Sequence, residues 1–341
     1  MNYIVFDLEW NQPADGKSSA ERELLFEIIE IGAVKLDSHR KIIGKFNELI
    51  CPQVYHQINW RTKKMLNLQR GELEQGDRFP NVMQRFLKWC GSDYVFCSWG
   101  PQDLTELQRN MHYYHMTSLS DRPIPFYNIQ KLFGIQIHEE DCVKNLEAAV
   151  DLTGMDKDIP FHRAYSDAYY TAKIFAKMPE DIAKNNISYD LFHLPRCREE
   201  EIRINNEHEN MYISRGFTER SEILENRAIM AINCAKCGQK PVRARIRWFT
   251  TNNKIYYSAG FCEHHGLIRG KLRIKKNDFG ELYAEKQFNY TTEEEVAALK
   301  EKKKSSGAAK KKAAENATEK KTVEMKPLKI HKKRPGRMMK E

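Results

Sequence analysis

The chain has 341 residues, room for about two domains and a tail, and its 41% hydrophobic and 11% aromatic content is enough to build real cores. No run of roughly 18 apolar residues occurs, so no membrane-spanning helix is expected. The net charge of +9 is uneven: residues 301–341 carry 15 Lys/Arg against 5 Glu, whereas residues 1–300 carry 41 basic against 42 acidic residues. The body is neutral and the tail holds the basicity. The first residues lack a basic segment followed by an apolar one, so no secretory signal is expected. Five of the eight cysteines (51, 90, 97, 142 and 197) are scattered and read as reduced thiols, which points to a cytoplasmic protein.

Tyr3-Ile4-Val5-Phe6-Asp7-Leu8-Glu9-Trp10 is rich in β-branched and aromatic residues and reads as a buried strand. Alternation puts Asp7 and Glu9 on one face, with Phe6 and Leu8 on the other. Two carboxylates on a core strand are costly unless a cation neutralises them, and a hard divalent ion does this well. Residues 11–22 are polar and predict a loop. A hairpin follows, with strands over 27–36 and 41–50 turned at Asp37-Ser38-His39. A short helix is expected within 57–68. Phe79, Val82, Phe86 and Trp89 have helical spacing, and 93–99 is a compact apolar strand ended by Gly100-Pro101.

A helix with Asp103, Leu104, Leu107 and Met111 comes next, then a short strand and helix over 126–133. Leu146, Ala149, Val150 and Leu152 form an amphipathic helix stopped at Gly154. A last helix covers 164–178 after a loop over 156–161. A three-strand meander followed by interleaved helices and strands indicates an α/β domain on a mixed sheet, complete by about residue 180.

Asp7 and Glu9 at a strand end, Asp103 in the first turn of a helix after a buried strand, and His162 and Asp167 flanking a helix start belong on one sheet edge, where sites commonly form. Four carboxylates there suit two divalent ions roughly 3.5–4 Å apart and in-line displacement at phosphorus. His162 is placed to take the proton of the attacking water, because imidazole titrates near neutrality.

Phe6-Asp7-Leu8-Glu9, Trp99-Gly100-Pro101-Gln102-Asp103-Leu104 and His162-Arg163-Ala164-Tyr165-Ser166-Asp167-Ala168 resemble the three motifs of the DEDDh exonucleases, the DnaQ-like family on an RNase H-like fold. Glu27–Val34 and Leu146–Ala149 also look like that family. The nearest branch is the KapD/Eri type, associated with 3′-to-5′ trimming of RNA. The resemblance covers residues 1–180 and implies a five-stranded mixed sheet flanked by helices. It further implies Asp7, Glu9, Asp103 and Asp167 as ligands of two Mg²⁺ or Mn²⁺ ions, with His162 as general base. The chain departs from the family in the bulky Trp10-Asn11 after Glu9 and in Asp158-Ile159-Pro160-Phe161 before His162. Trp10 and Tyr165 are candidates for stacking on the terminal base, though core packing suits either equally. Glu30 is a candidate for the substrate's 3′ end or a solvent-facing strand residue.

Cys234-Ala235-Lys236-Cys237-Gly238 is a metal knuckle, and Cys262-Glu263-His264-His265 supplies a second pair after a hairpin over 242–249 and 254–261. The pattern reads as a zinc ribbon with Cys234, Cys237, Cys262 and His265 holding one structural Zn²⁺, His264 being the alternative fourth ligand. Arg243, Arg245 and Arg247 alternate beside Trp248, Phe249, Tyr256 and Tyr257. They offer a phosphate-tracking face or an ordinary exposed one.

Residues 1–180 are thus expected to be an exonuclease domain, 181–230 a helical linker, 231–290 the zinc ribbon and 291–341 a Lys-rich disordered tail suited to polyanions, with at most nascent helix near Glu293–Lys304. The function expected is a metal-dependent 3′-to-5′ exonuclease on single-stranded nucleic acid, RNA favoured over DNA, with no membrane partner. A DNA exonuclease of proofreading or repair type and a non-catalytic nucleic-acid-binding adaptor are the alternatives.

Overall fold

A computed structural model describes residues 1–13, 23–69, 71–138, 145–206, 210–237 and 240–306. They form two compact units, Met1–Glu225 with Lys275–Glu285, and Asn226–Ile274 with the chain from Lys286 onward.

In the first unit, β1 (Asn2–Asn11), β2 (Glu27–Leu36) and β3 (Ile42–Leu49) form the expected antiparallel meander. After α1 (Trp60–Leu66) and α2 (Phe79–Cys90), β4 (Tyr94–Ser98) returns parallel to β1. Then α3 (Gln102–Tyr113) leads to β5 (Ile124–Asn128), parallel to β4. Next come α4 (Ile129–Gln136), α5 (Leu146–Leu152), α6 (Ala164–Lys177), α7 (Glu180–Asn185) and β6 (Ser188–Asp190), which is antiparallel to β5. The sheet order is β3-β2-β1-β4-β5-β6, one strand more than the five expected. The extra strand has three residues and lies past residue 180, too short for a periodic signal.

The strand alternation of β1 decides what covers the sheet. Ile4, Phe6 and Leu8 pack with Phe79, Val82 and Phe86 of α2 and Leu104 and Leu107 of α3. Val5, with Val34 and Leu36 of β2, packs on the other face with Leu132 and Phe133 of α4, Val150 of α5 and Phe175 of α6. Each such fully buried side chain contributes about 1.5–3 kcal/mol, so β1 is fixed from both sides. Its acids share the α6 face and lie beyond Val5, where the apolar layer ends.

The segment expected as a helical linker, residues 181–230, contains strands as well as short helices. Besides β6, β7 (Ile202–Asn205) and β8 (Asn210–Ile213) pair antiparallel. Ile202 and Ile213 lie with Leu194 and Tyr283 in a small core. The short alternation Ile202-Arg203-Ile204 carried this signal beneath the charged neighbours Arg198-Glu199-Glu200-Glu201. The helix α8 (Arg220–Glu225) ends this stretch of the first unit.

The second unit starts with α9 (Arg227–Met230) and the paired strands β9 (Asn233–Cys234) and β10 (Lys240–Pro241). Then β11 (Arg243–Thr250), β12 (Ile255–Cys262), β13 (Gly266–Lys276) and β14 (Leu282–Tyr290) follow, with sheet order β11-β12-β13-β14. The β13–β14 tip, Lys275–Glu285, belongs to the first unit. A final helix, α10, covers 293–306. Its Val296 and Leu299 are buried with Ile246, Ala259 and Leu267, so ordered structure continues past the expected tail boundary at residue 291. Residues 307–341, most of that tail, lie outside the described residues. Among the described residues no helix is long and apolar enough to cross a membrane.

Candidate nuclease site and zinc cluster

The C-terminal end of β1 forms the floor of the site. Asp7 lies across from Gly32 of β2, and Glu9 across from Glu30, before a register shift between Glu9 and Trp10. Bulges of this kind re-aim the next side chain. Asp103 sits in the first turn of α3, just after β4 ends, and its Oδ1 accepts the Leu8 backbone N–H at 3.2 Å. Asp167 sits in the first turn of α6, where it brings its carboxylate to the same end of β1. One carboxylate oxygen from each of Asp7, Glu9 and Asp167 lies within 4.8 Å of the others. Asp103 is outside that trio, but its charge acts on both Asp7 and Glu9.

His162 immediately precedes α6's N-cap residue, Arg163, and has a φ of 67°, the left-handed region that non-glycine residues seldom enter. Its backbone N–H donates to Asp167 Oδ1 at 3.3 Å. Its exposed ring lines a cavity of about 570 Å³ together with Asp7, Glu9, Asp103 and Asp167.

Burial and mutual repulsion make this an expensive place for anions. Burial, then the charges of Asp103 and Glu9, push Asp7 well above the usual carboxylate range. Burial, then Asp167 and Glu30, push Glu9 to about 8. Burial lifts Asp103 to about 7 against its hydrogen bond from Leu8, and Asp167 to about 6 against the one from the His162 backbone. An all-oxygen donor set of this charge suits a hard divalent cation, which offsets both burial and repulsion.

Trp10 lines the cavity while packing against the Phe26 ring at 5.5 Å. Tyr165 and Glu30 are not on the cavity wall. Tyr165 packs into the α6-side core, near Tyr169. Glu30 is neither solvent-facing nor open to the cavity: it is 1% exposed and accepts Arg163 Nε at 2.9 Å. Met65, Trp99, Gln102 and Gln130 also line the cavity; Trp99 and Gln102 stand in the second motif, but none of the four was a candidate site residue from sequence. Met65, like Trp60, is an exposed apolar residue among the basic Arg61, Lys63 and Lys64 of α1.

In the second unit, Cys234, Cys237, Cys262 and His265 converge. The Nδ1 of His265 lies 3.5, 3.3 and 3.7 Å from the sulfurs of Cys234, Cys237 and Cys262, and Cys237 lies 3.6 Å from Cys262. Ideal tetrahedral zinc places sulfurs roughly 3.8 Å apart and sulfur and nitrogen roughly 3.6 Å apart. The four donors therefore fit a zinc ion with no open position. His264 is exposed and outside the cluster. Cys51, Cys90, Cys97 and Cys197 are free thiols, and Cys142 lies outside the described residues.

Arg243, Arg245 and Arg247 are all exposed, but they do not share one unbroken strand face. The β11–β12 register shifts on both sides of Ile246, which breaks the alternation. Arg245 lies over the Phe261 ring and pairs with Glu293 of α10 at 3.6 Å.

Among known proteins, the 3′-5′ exoribonuclease 1 of Rattus norvegicus is 25% identical over 170 residues, 47% of this chain and 48% of that protein. The chain thus spans about half the length of the curated relatives it matches. The solved nuclease domain of 3′hExo, a DEDDh family member bound to rAMP, is 20% identical, covers 55% of this chain and 96% of that one, and has a TM-score of 0.47. A full-length 3′-exonuclease is 21% identical, with 55% and 62% covered and a TM-score of 0.46. The family model described as RNase_T, Exonuclease matches residues 4–175, just over half of the chain and the whole span of the acidic site. The chain belongs to this exonuclease family.

Proposed function

We propose that the chain is a metal-dependent 3′-to-5′ exonuclease that removes nucleotides from the 3′ end of single-stranded RNA. The observation that carries this reading is the meeting of Asp7, Glu9, Asp103, Asp167 and His162 in one cavity, with all four acids raised by burial and repulsion. RNA is favoured over DNA because the matched curated relatives are named as exoribonucleases.

Asp7, Glu9 and Asp167, with Asp103 beside them, would hold two Mg²⁺ or Mn²⁺ ions. When bound, these supply charge neutralisation at the scissile phosphate and activation of water. Asp103 is oriented by its hydrogen bond from Leu8, which aims its carboxyl group at the end of β1 that carries Asp7 and Glu9. His162 accepts the attacking water's proton at an imidazole nitrogen, and its exposed position lets the proton pass on to solvent. Trp10 and Met65 face the terminal nucleoside and keep bulk water from its base. In the second unit, Cys234, Cys237, Cys262 and His265 would hold a structural zinc and so fix the sheet carrying Arg243, Arg245 and Arg247, whose exposed guanidinium groups would contact RNA phosphates.

The test is purified protein with end-labelled single-stranded RNA and DNA, with Mg²⁺ or Mn²⁺ and then with EDTA. The expected result is metal-dependent shortening of RNA from the 3′ end. Equal shortening of both strands would remove the RNA preference, and binding without shortening would make the chain a non-catalytic adaptor.

A further inference from the structure

The turn that carries His162 is held from below by β2. At Gly32 an added Cβ would lie 1.9 Å from the Tyr165 nitrogen and 2.1 Å from the Ala164 carbonyl carbon, so the first turn of α6 rests directly on strand backbone. Two residues earlier on the same face, Glu30 accepts Arg163 Nε at 2.9 Å. The same guanidinium reaches Glu72 Oε1 through Nη2 at 3.0 Å. Glu72 in turn accepts the Gln69 backbone N–H at 2.9 Å, which anchors it in its own loop. One arginine therefore ties together β2, Glu72 and the start of α6.

Arg163 directly follows His162, and its carbonyl accepts the Asp167 N–H at 3.0 Å. Any rotation of the arginine backbone would move both residues. Glu30 is an unusual choice at its position. It is 1% exposed, pairs in register with Glu9, and adds repulsion to Asp7, Glu9 and Asp167. An apolar residue would bury there without that conflict. What a carboxylate adds is a fixed acceptor for a planar, forked donor, which an apolar side chain cannot supply. The left-handed conformation of His162 is uncommon for a residue with a side chain, although His115 and His138 also adopt it, and at His162 it is the conformation that the neighbouring contacts hold.

We propose that Arg163, clamped between Glu30 and Glu72, is a positioning residue that holds His162 in its left-handed turn and so presents the imidazole at the cavity. The catalytic consequence rests on the reading of His162 as proton acceptor, whereas the positioning itself does not.

Two measurements on the full chain separate these. In histidine-labelled protein, the His162 ring should give one sharp set of NMR signals in the parent chain and broadened or multiple sets in Glu30→Gln and Arg163→Ala. Unchanged His162 signals in both variants, with the fold intact by circular dichroism, would overturn the proposal whether or not the chain shortens RNA. In the RNA assay, Arg163→Ala should lower kcat about 10- to 100-fold with KM within about threefold. In the His162→Ala background the same change should cost less than about threefold, because its route of action is already gone. Arg163→Lys, which keeps charge but not the fork, should recover only part of the loss. Losses that multiply in the double variant would show that Arg163 acts independently of His162 and overturn the proposal. Glu30→Gln preserves shape and an acceptor oxygen, and so decides the matter if Arg163→Ala fails to fold.

Discussion

Asp103 reaches from α3 to the backbone of β1, where its Oδ1 accepts the N–H of Leu8, the residue between Asp7 and Glu9. The helix acid is therefore aimed by the strand whose acids it joins. Asp103→Asn retains an oxygen for that hydrogen bond and removes only the charge. It should lower the rate of RNA shortening at least about a hundredfold, leave RNA binding within about threefold, and leave the melting temperature unchanged or higher near pH 8. Single-turnover assays, fluorescence anisotropy and thermal melts check the three outcomes. Combined loss of fold and binding would make Asp103 a structural residue.

The raised acids give the cation-free protein a particular pH response. In the unfolded chain these carboxyls ionise near their ordinary values, whereas in the folded chain Asp167, Asp103 and Glu9 hold their protons to about 6, 7 and 8. The folded state binds more protons over this interval, so their contribution is fully present below about pH 4 and is lost as pH rises to about 8. Divalent ions favour the ionised forms and should reverse the trend. After dialysis to remove loosely held ions, added Mn²⁺ should raise the melting temperature more at about pH 8 than at about pH 5. An equal rise at both would mean that the acids do not hold the ion.

Adjacent histidines give opposite expectations at the zinc cluster. His265→Ala removes a donor within 3.7 Å of three sulfurs and should lose most of the zinc. His264→Ala should keep about one zinc per chain. Metal analysis of the purified variants decides, and a reversed result would exchange the two roles.

Gly32→Ala tests how tightly α6 rests on β2. The new methyl meets the backbone of Ala164 and Tyr165, which cannot swing aside as a side-chain tip would. A loss of about 2–3 kcal/mol or more is expected by urea unfolding, with RNA shortening reduced as Asp167 shifts with its helix. Parent-like stability would show that the helix start is free to move.

Truncation after residue 306 removes 12 Lys/Arg and 4 Glu while sparing α10. It should weaken RNA binding and flatten its salt dependence without lowering the melting temperature. Removal from residue 301 should also destabilise the ribbon, because it takes Lys302 from the Tyr257 ring (4.0 Å) and Ser306 from the Thr250 carbonyl (3.1 Å). Anisotropy titrations at several salt concentrations and thermal melts compare the two.

The meander, the β4–α3 step and the acidic positions were legible because each depends on local pattern: alternation along β1, a Gly-Pro break before α3, and a helix start after His162. The cysteine–histidine cluster was legible for a related reason, since donor spacing and one hairpin bring it together, although spacing alone did not choose between His264 and His265. What sequence did not expose depended on contacts between segments far apart in the chain. Glu30 looked ambiguous because its partner, Arg163, is 133 residues away. The alternation of Arg243, Arg245 and Arg247 promised one face, and two register shifts undid it, since bulges leave little mark in composition. Val296 and Leu299 were read within a charged tail, although two apolar residues three apart suffice to dock one helix face when a complementary sheet is present.

That docked helix also changes how the ribbon's cations should be counted. Glu293 sits 3.6 Å from Arg245 and Glu295 sits 3.7 Å from Arg269, so these arginines already have anionic company. A phosphate arriving at either would exchange one anion for another and release fewer condensed counterions than a contact with a bare cation. If RNA runs along this surface, its affinity should fall less steeply with salt than a simple tally of exposed arginines implies.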